Sequence, residues 1–306
     1  MKVRFWGVRG SIACPGPETM KFGGNTISLE LRFEETDRLI MIDAGTGIRQ
    51  LGNHLMKNDL PKRPITAEIF ITHTHWDHIL GFPFFTPIYN PKTKLKVYGP
   101  VTHEDDTLDK IVSGLLLYRY FPIQYNELAA EINYHQLGEC EMDLGDGIHL
   151  KTKYLNHPIL CLGYRFEYKG KVLCTAYDTE PFRNIFPSDP NSPDYDPIVA
   201  EEGEAVAREE NKKVQKFFQG ADLLIHDSQY TPEEYRSSKT GWGHSSFEDA
   251  VNAGIKAEVK KIILIHHDPD RTDNELVSFE KHYREFAKNK SQMEVFIAKE
   301  GMEFEI

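Results

Sequence analysis

Ile71–Phe85 reads ITHTHWDHILGFPFF, and the rest of the chain takes its meaning from this stretch. The apolar run ahead of it, ending at Ile71, reads as the end of a buried strand. His73, His75, Asp77 and His78 then crowd into six positions. Polar groups packed that tightly at a strand end cost stability unless something satisfies them. Three imidazoles and a carboxylate have no common structural job, but they are donors for a metal ion.

Four other strand-like runs end in groups of the same kind: His157, Asp178, His226-Asp227 and His266-His267-Asp268. Ligands sit well at such ends, where a rigid sheet positions loops. Imidazole with carboxylate suits zinc, manganese or iron better than calcium, which prefers oxygen alone. The candidates are too many for one tetrahedral ion and suit two ions sharing a carboxylate.

Around these tips the chain reads as α/β. MKVRFWGV, NTISLELRFEE, RLIMIDAG, ITAEIFITH and KLKVYGP are strands. Thr46 is placed to cap a helix with Ile48, Leu51 and Leu55 on one face, and residues 103–118 read as a second helix. GIHLKTKYLN is a strand, and LGYRFEYKGKVLCTAYD is a pair turning at Lys169-Gly170. Residues 182–200, rich in Pro and Asp, read as a loop, and an acidic helix follows over 201–218. The strands ADLLIHDSQY, KKIILIHHDP and MEVFIA then alternate with helices capped by Ser245 or Ser246 and by a Thr272–Glu275 capping box. With no linker and no short repeat, residues 1–306 are expected to form a single domain, with an acidic surface segment inserted at about 182–215.

A chain of 306 residues can bury a sizeable core without disulfides. Its four cysteines, Cys14, Cys140, Cys161 and Cys174, are scattered and fit a reducing compartment. MKVRFWGVRG lacks the apolar core of an export signal, and no stretch reaches membrane-spanning length, so the cytoplasm and no membrane are expected. The net charge of −11 argues against a broad polyanion-binding surface while allowing a locally basic one.

HTHWDH matches the HxHxDH signature of the metallo-β-lactamase superfamily, and the resemblance extends from the first hairpin to LIHHDP, with distant single ligands in the right order. It implies an α/β fold, a four-layer αβ/βα sandwich of two facing mixed sheets with helices outside and the metals at one edge. It implies one metal site of His73, His75 and His157, a second of Asp77, His78 and His266, and Asp178 bridging the two. Asp43, in IDAGTG, resembles the family's first motif, a buried carboxylate near the ligand loop; capping after a strand is its plainer reading. In ILIHHDP the ligand is His266, which directly ends its strand. His267 is then a ligand-supporting or substrate contact, or an exposed loop histidine.

GWGHSSFEDA resembles the GHS segment of tRNA 3′-processing endonucleases and related phosphodiesterases. That implies a contact from His244 to the scissile phosphate and help to the leaving group; a loop histidine ahead of a helix cap is the alternative. ADLLIHDSQY resembles a segment of the tRNA enzymes with His-Glu in place of His226-Asp227. Only twenty residues separate His157 from Asp178, and two strands use them, so the basic arm of the long-armed tRNA enzymes has no room there. FWGVRGSIACPGPETMKFGGNT resembles relatives that act on small substrates. There Arg9 meets a phosphate by paired hydrogen bonds, or lies solvated beside a turn. Phe82, Phe84, Phe85 and Trp242 read as a base-stacking wall or as core, with core favoured for at least two of the phenylalanines.

The expectation is therefore a binuclear phosphodiesterase acting on cyclic nucleotides or other small phosphodiesters through a metal-bridging hydroxide. Asp77 and His244 are its expected catalytic residues. Zinc is the first choice of ion and manganese or iron the next. Long RNA or DNA ranks below a small phosphodiester as partner, and relatives of this kind imply a homodimer. Two alternatives stand beside this reading: an endoribonuclease that processes RNA 3′ ends, and a metal-binding protein without activity.

Overall fold

The structure, a computed structural model, describes residues 1–33, 35–101 and 106–306. Strands β1 (Lys2–Gly7), β2 (Ser28–Phe33), β3 (Arg38–Ile42), β4 (Ile65–Phe70), β5 (Thr93–Pro100) and β6 (Glu131–Leu137) belong to one sheet. Strands β7 (Glu141–Gly145), β8 (Ile148–Leu155), β9 (Cys161–Tyr168), β10 (Lys171–Ala176), β11 (Leu223–Asp227), β12 (Lys261–Ile265) and β13 (Glu294–Ile297) form a second. The last strand, β14 (Glu303–Glu305), returns to the first sheet and pairs with β1. The strand orders are β14-β1-β2-β3-β4-β5-β6 and β13-β12-β11-β10-β9-β8-β7.

The outer layers are helical: α1 (Ile48–Asn58), α2 (Trp76–Ile79) and α3 (Leu108–Gly114) in the first half, then α4 (Pro197–Phe218), α5 (Pro232–Glu234), α6 (Phe247–Lys256) and α7 (Asp273–Lys288). Three apolar cores hold the layers. Between the sheets, Phe70 of β4 meets Tyr164 and Phe166 of β9 with ring centroids 5.3 and 5.6 Å apart. Ile48, Leu51 and Leu55 of α1 seal the outside of the first sheet, and Phe247, Val251, Leu276 and Tyr283 of α6 and α7 seal the second. Each such side chain taken from water contributes about 1.5–3 kcal/mol, enough for a stripe of three to fix one helix. The chain thus forms the expected four-layer sandwich.

Local expectations fare unevenly. Ser246 caps α6 and Thr272 caps α7 with its Glu275 partner. Thr46 does not cap α1; its hydroxyl accepts from the Thr26 N–H at 2.9 Å and donates to Asn25, so it ties two loops instead. The helix expected over 103–118 is the shorter α3, and residues 103–105 lie outside the described residues. Helix α4 starts earlier than 201, because Asp196 accepts from the Ile198 and Val199 N–H groups and Pro197 fills the first turn. The Asn211 side chain of α4 accepts from the Phe182 N–H and donates to the Phe182 carbonyl, closing the acidic segment on itself. A cavity of about 240 Å³ lies beneath α4, between it, α6 and the end of β11.

Candidate metal centre

The ligand loop forms where β4 runs out. The Ile71 N–H donates to the Tyr98 carbonyl at 2.7 Å. From the second sheet, the Tyr164 hydroxyl donates to the Ile71 carbonyl at 2.6 Å and the Leu162 N–H to the Thr72 carbonyl at 2.9 Å. Both sheets therefore hold the loop. His75 precedes α2, whose single turn buries Asp77 and His78 and leaves Trp76 73% exposed. The turn packs directly on the IDAGTG backbone: a Cβ at Gly45 would stand 2.2 Å from the Asp77 carbonyl.

Seven side chains converge there in two clusters, His73, His75, His157 and Asp178, and Asp77, His78, His266 and Asp178, each with its donor atoms within 4.8 Å of one another. His73 Nε2 and His157 Nε2 each lie 3.0 Å from His75 Nδ1, and His73 Nε2 lies 3.4 Å from Asp178 Oδ2. His78 Nε2 and His266 Nε2 lie 3.2 and 3.1 Å from Asp178 Oδ1, and His266 Nε2 is 3.1 Å from Asp77 Oδ2. One oxygen of Asp178 faces each cluster.

Hydrogen bonding alone does not satisfy these atoms. A single proton on His75 Nδ1 cannot serve both neighbouring nitrogens. His78 Nε2 and Asp178 Oδ1 are buried with no hydrogen-bond partner among the described residues. Bare imidazole nitrogens and carboxylate oxygens aimed at two common points are donors for divalent cations, so the residues fit two such ions.

The far side of each imidazole is fixed. His78 Nδ1 donates to Asp43 at 2.7 Å, His266 Nδ1 to the Gln229 side-chain oxygen at 3.1 Å and His157 Nδ1 to the Gly243 carbonyl at 2.9 Å. Such partners set the tautomer and aim the other nitrogen inward. Asp43 also accepts from the Thr72 N–H at 2.7 Å, which locks it behind the loop. Burial keeps His73 and His75 below the ordinary imidazole pKa and takes His157 down to about 4, leaving them neutral. Burial opposes charge on His78 as well, but Asp178, Asp77 and Asp43 drive it well above its ordinary value. For Asp77 burial opposes ionisation, and His78 and His266 outweigh it.

His244 stands beside both clusters. Its Nδ1 lies 3.1 Å from Asp227 Oδ2 and 3.9 Å from Asp178 Oδ2, and its ring stacks on His266 with centroids 4.8 Å apart. Asp227 Oδ2 also accepts from the Thr179 and Ser245 N–H groups, each at 3.1 Å. Burial resists a charge on His244, yet Asp227, with Asp178 and Asp77 nearby, raises it to about 9. His226 turns the other way, against Phe218 and into the cavity under α4.

Two expected contacts are placed differently. Arg9 is fully buried and donates to the carbonyls of Gly23, Asp268 and Arg271. It clasps loops together and has no surface to offer a phosphate. His267 is buried too, donating to the Ala298 carbonyl at 2.8 Å with its ring edge to Phe22, so it is neither a substrate contact nor an exposed loop residue.

Three contributors escape sequence reasoning: Asp227 as the partner of His244, Gln229 as the partner of His266, and Glu180. The Glu180 carboxylate, 6% exposed, accepts from the Gly241 N–H at 2.9 Å, the Gly243 N–H at 3.2 Å and the Tyr235 hydroxyl at 2.7 Å. Its position two residues past Asp178 was the only sequence signal available.

Residues 38–187 match the Beta-lactamase superfamily domain. Ribonuclease Z of Lactococcus lactis subsp. lactis is 28% identical over 271 residues, covering 79% of this chain and 83% of its own length. Ribonuclease Z of Streptococcus thermophilus matches with the same identity and coverage. Among solved structures, the metallo-beta-lactamase fold protein YhfI from Bacillus subtilis superposes with a TM-score of 0.65 at 16% identity, covering 99% of this chain and 98% of its own. These relatives overturn the ranking of long RNA below a small phosphodiester. That ranking rested on the summed charge, on the lack of room for a basic arm and on the amino-terminal resemblance, and none of these describes the field in a cleft that presents donors for two divalent ions. The layered fold, the paired His/Asp clusters and the Beta-lactamase superfamily domain match over residues 38–187 together give this chain the metallo-β-lactamase fold, with the paired metal-binding clusters of a metal-dependent hydrolase.

Proposed function

We propose that this chain is a phosphodiesterase that cleaves RNA, as the name of its ribonuclease Z relatives suggests, and that it does so near a 3′ end, as the resemblance of its GHS segment implies. The observation that carries the reading is the sharing of Asp178 between two donor clusters, with His244 braced on Asp227 beside them. His73, His75 and His157 would hold one ion and Asp77, His78 and His266 the other, with Asp178 common to both; zinc, manganese and iron all accept these donors. When bound, such ions offset the charge of a phosphodiester and lower the pKa of a water toward neutrality.

The chain's own residues do the rest. Asp77, held ionised, orients the attacking water and takes up its proton. As the new O–P bond forms and the bond to the departing strand breaks, His244 gives a proton to the leaving oxygen. Asp227 keeps His244 in position throughout.

The test is turnover by metal-loaded protein on an RNA with a 3′ extension, on cyclic AMP and cyclic GMP, and on bis(p-nitrophenyl) phosphate, with Asp178→Asn as control. Cleavage of the RNA, lost in the control, is the expected result. Turnover of cyclic nucleotides with intact RNA left behind would overturn it.

A further inference from the structure

Two residues before His244, Trp242 stands 56% exposed in a chain whose other large aromatics near β11 are packed away. An exposed indole beside a hydrolytic centre invites a partner. One face already has a neighbour: the Lys239 ammonium lies 3.8 Å from the ring centroid. Lys239 also reaches 5.6 Å from the Tyr230 ring, and that ring packs edge-on against His244 at 6.0 Å. A contiguous path of aromatic and cationic groups thus runs from Trp242 to the metal clusters.

The segment carrying them is rigid at its base. Residues Tyr235–Lys239 form a π-helical turn, a rare conformation found at functional sites. The Trp242 N–H closes back onto the Lys239 carbonyl at 3.1 Å. Gly241 and Gly243, both at positive φ, flank the indole, and Glu180 grips their N–H groups. The ring is therefore held out on a braced turn, at most about 7 Å of chain from His244.

Two cations stand near the indole. Neither Lys239 nor Arg183 forms an ion pair among the described residues, and a Cβ on Gly241 would meet the Arg183 guanidinium at 2.7 Å. A cation over one exposed aromatic face, with a second beside the preceding glycine, matches a stacked base with its phosphate.

We propose that Trp242 and Lys239 form a subsite for an unpaired nucleotide of the substrate strand next to the scissile phosphate, a reading that rests on RNA as the substrate. The indole's open face stacks on the base, and the Lys239 ammonium, with Arg183, pairs with the backbone phosphate.

The experiment uses metal-loaded Trp242→Ala, Trp242→Phe and Lys239→Ala on the 3′-extended RNA and on bis(p-nitrophenyl) phosphate. It is joined by tryptophan-fluorescence titration with a single-stranded eight-nucleotide RNA. Trp242→Ala should raise KM for RNA about 10-fold at nearly constant kcat, with Trp242→Phe restoring most of it. Lys239→Ala should also flatten the dependence of log KM on log salt by about 0.7. Turnover of the artificial ester and metal content should not change. RNA cleavage with unaltered KM in both alanine variants would sink the subsite and leave the proposed function standing. If RNA is not cleaved but quenches the wild type and not Trp242→Phe, the subsite stands and the proposed reaction falls. Absence of both cleavage and quenching removes both.

Discussion

Three side chains of the centre, Asp43, Asp178 and His266, sit at positive φ, where a residue with a Cβ loses about 1–3 kcal/mol. For two of them the surroundings fix the conformation, Asp43 through Thr72 and His78, and His266 through Gln229. Each kink turns a carboxylate or imidazole off the end of its strand toward the clusters. Asp227 shows how far residue identity carries. It reads in the sequence as one more polar strand end, but its partner is 17 positions away, and only the fold joins them. Replacing it with Asn keeps the volume and removes the charge that braces His244. Asp227→Asn should lower kcat about 10²-fold, the size of a general-acid contribution, with metal content per chain unchanged. Turnover of the 3′-extended RNA, whose alkoxide leaving group needs that proton, and metal analysis of the same sample check this. Loss of metal instead would make Asp227 a ligand, since it also lies in a group with His244 and His266 that can hold an ion.

Among the elements, the legible ones are those with strong local causes. The buried parallel strands β11 and β12 carry nearly continuous apolar runs, and the capping box states the start of α7 outright. Strands β6 and β7 went unread because they lie at sheet edges and bury little; EINYHQL and EMDLG look like polar loops. The turn from Tyr235 to His244 is similarly opaque, as its shape depends on a carboxylate more than fifty residues earlier. Glu180 anchors that turn by hydrogen bonds to a charged acceptor, each about 1.5–3 kcal/mol. The turn in turn supplies the Gly243 carbonyl to His157. Glu180→Gln should therefore speed amide hydrogen exchange across residues 235–243 and weaken metal affinity about 10-fold through a misdirected His157. Exchange mass spectrometry and a competitive chelator titration measure the two effects. Unchanged exchange in this turn would show that Glu180 does not anchor it.

The whole molecule repeats one plan twice. In each sheet three antiparallel pairings give way to three parallel ones, at β3–β4 in the first and β10–β11 in the second. Asp43 and Asp178 each follow the strand where the pattern changes, the kind of switch point where open α/β sheets place ligands. The order of strands and ligands was visible in the sequence. The return of β14 to the first sheet was not, because the three residues Glu-Phe-Glu are too few to carry a signal. What joins the halves at this edge is the centre itself: the 73–78 loop comes from the first sheet, and His157, Asp178 and His266 come from the second. Bound ions should then act as a clasp across the sandwich. An ion at 100 times its Kd adds about 2.7 kcal/mol to a folded state that alone presents the site. At roughly 2 °C per kcal/mol for a domain of this size, chelation of both ions, about 5.4 kcal/mol together, should lower Tm by about 11 °C. Calorimetry with and without chelator reads this directly. Asp178→Asn, which removes the group common to both clusters, should begin near the chelated Tm and respond little to chelator. An equal chelator shift in wild type and variant would mean that ions bound elsewhere stabilise the protein, and that this edge of the sandwich holds together without them.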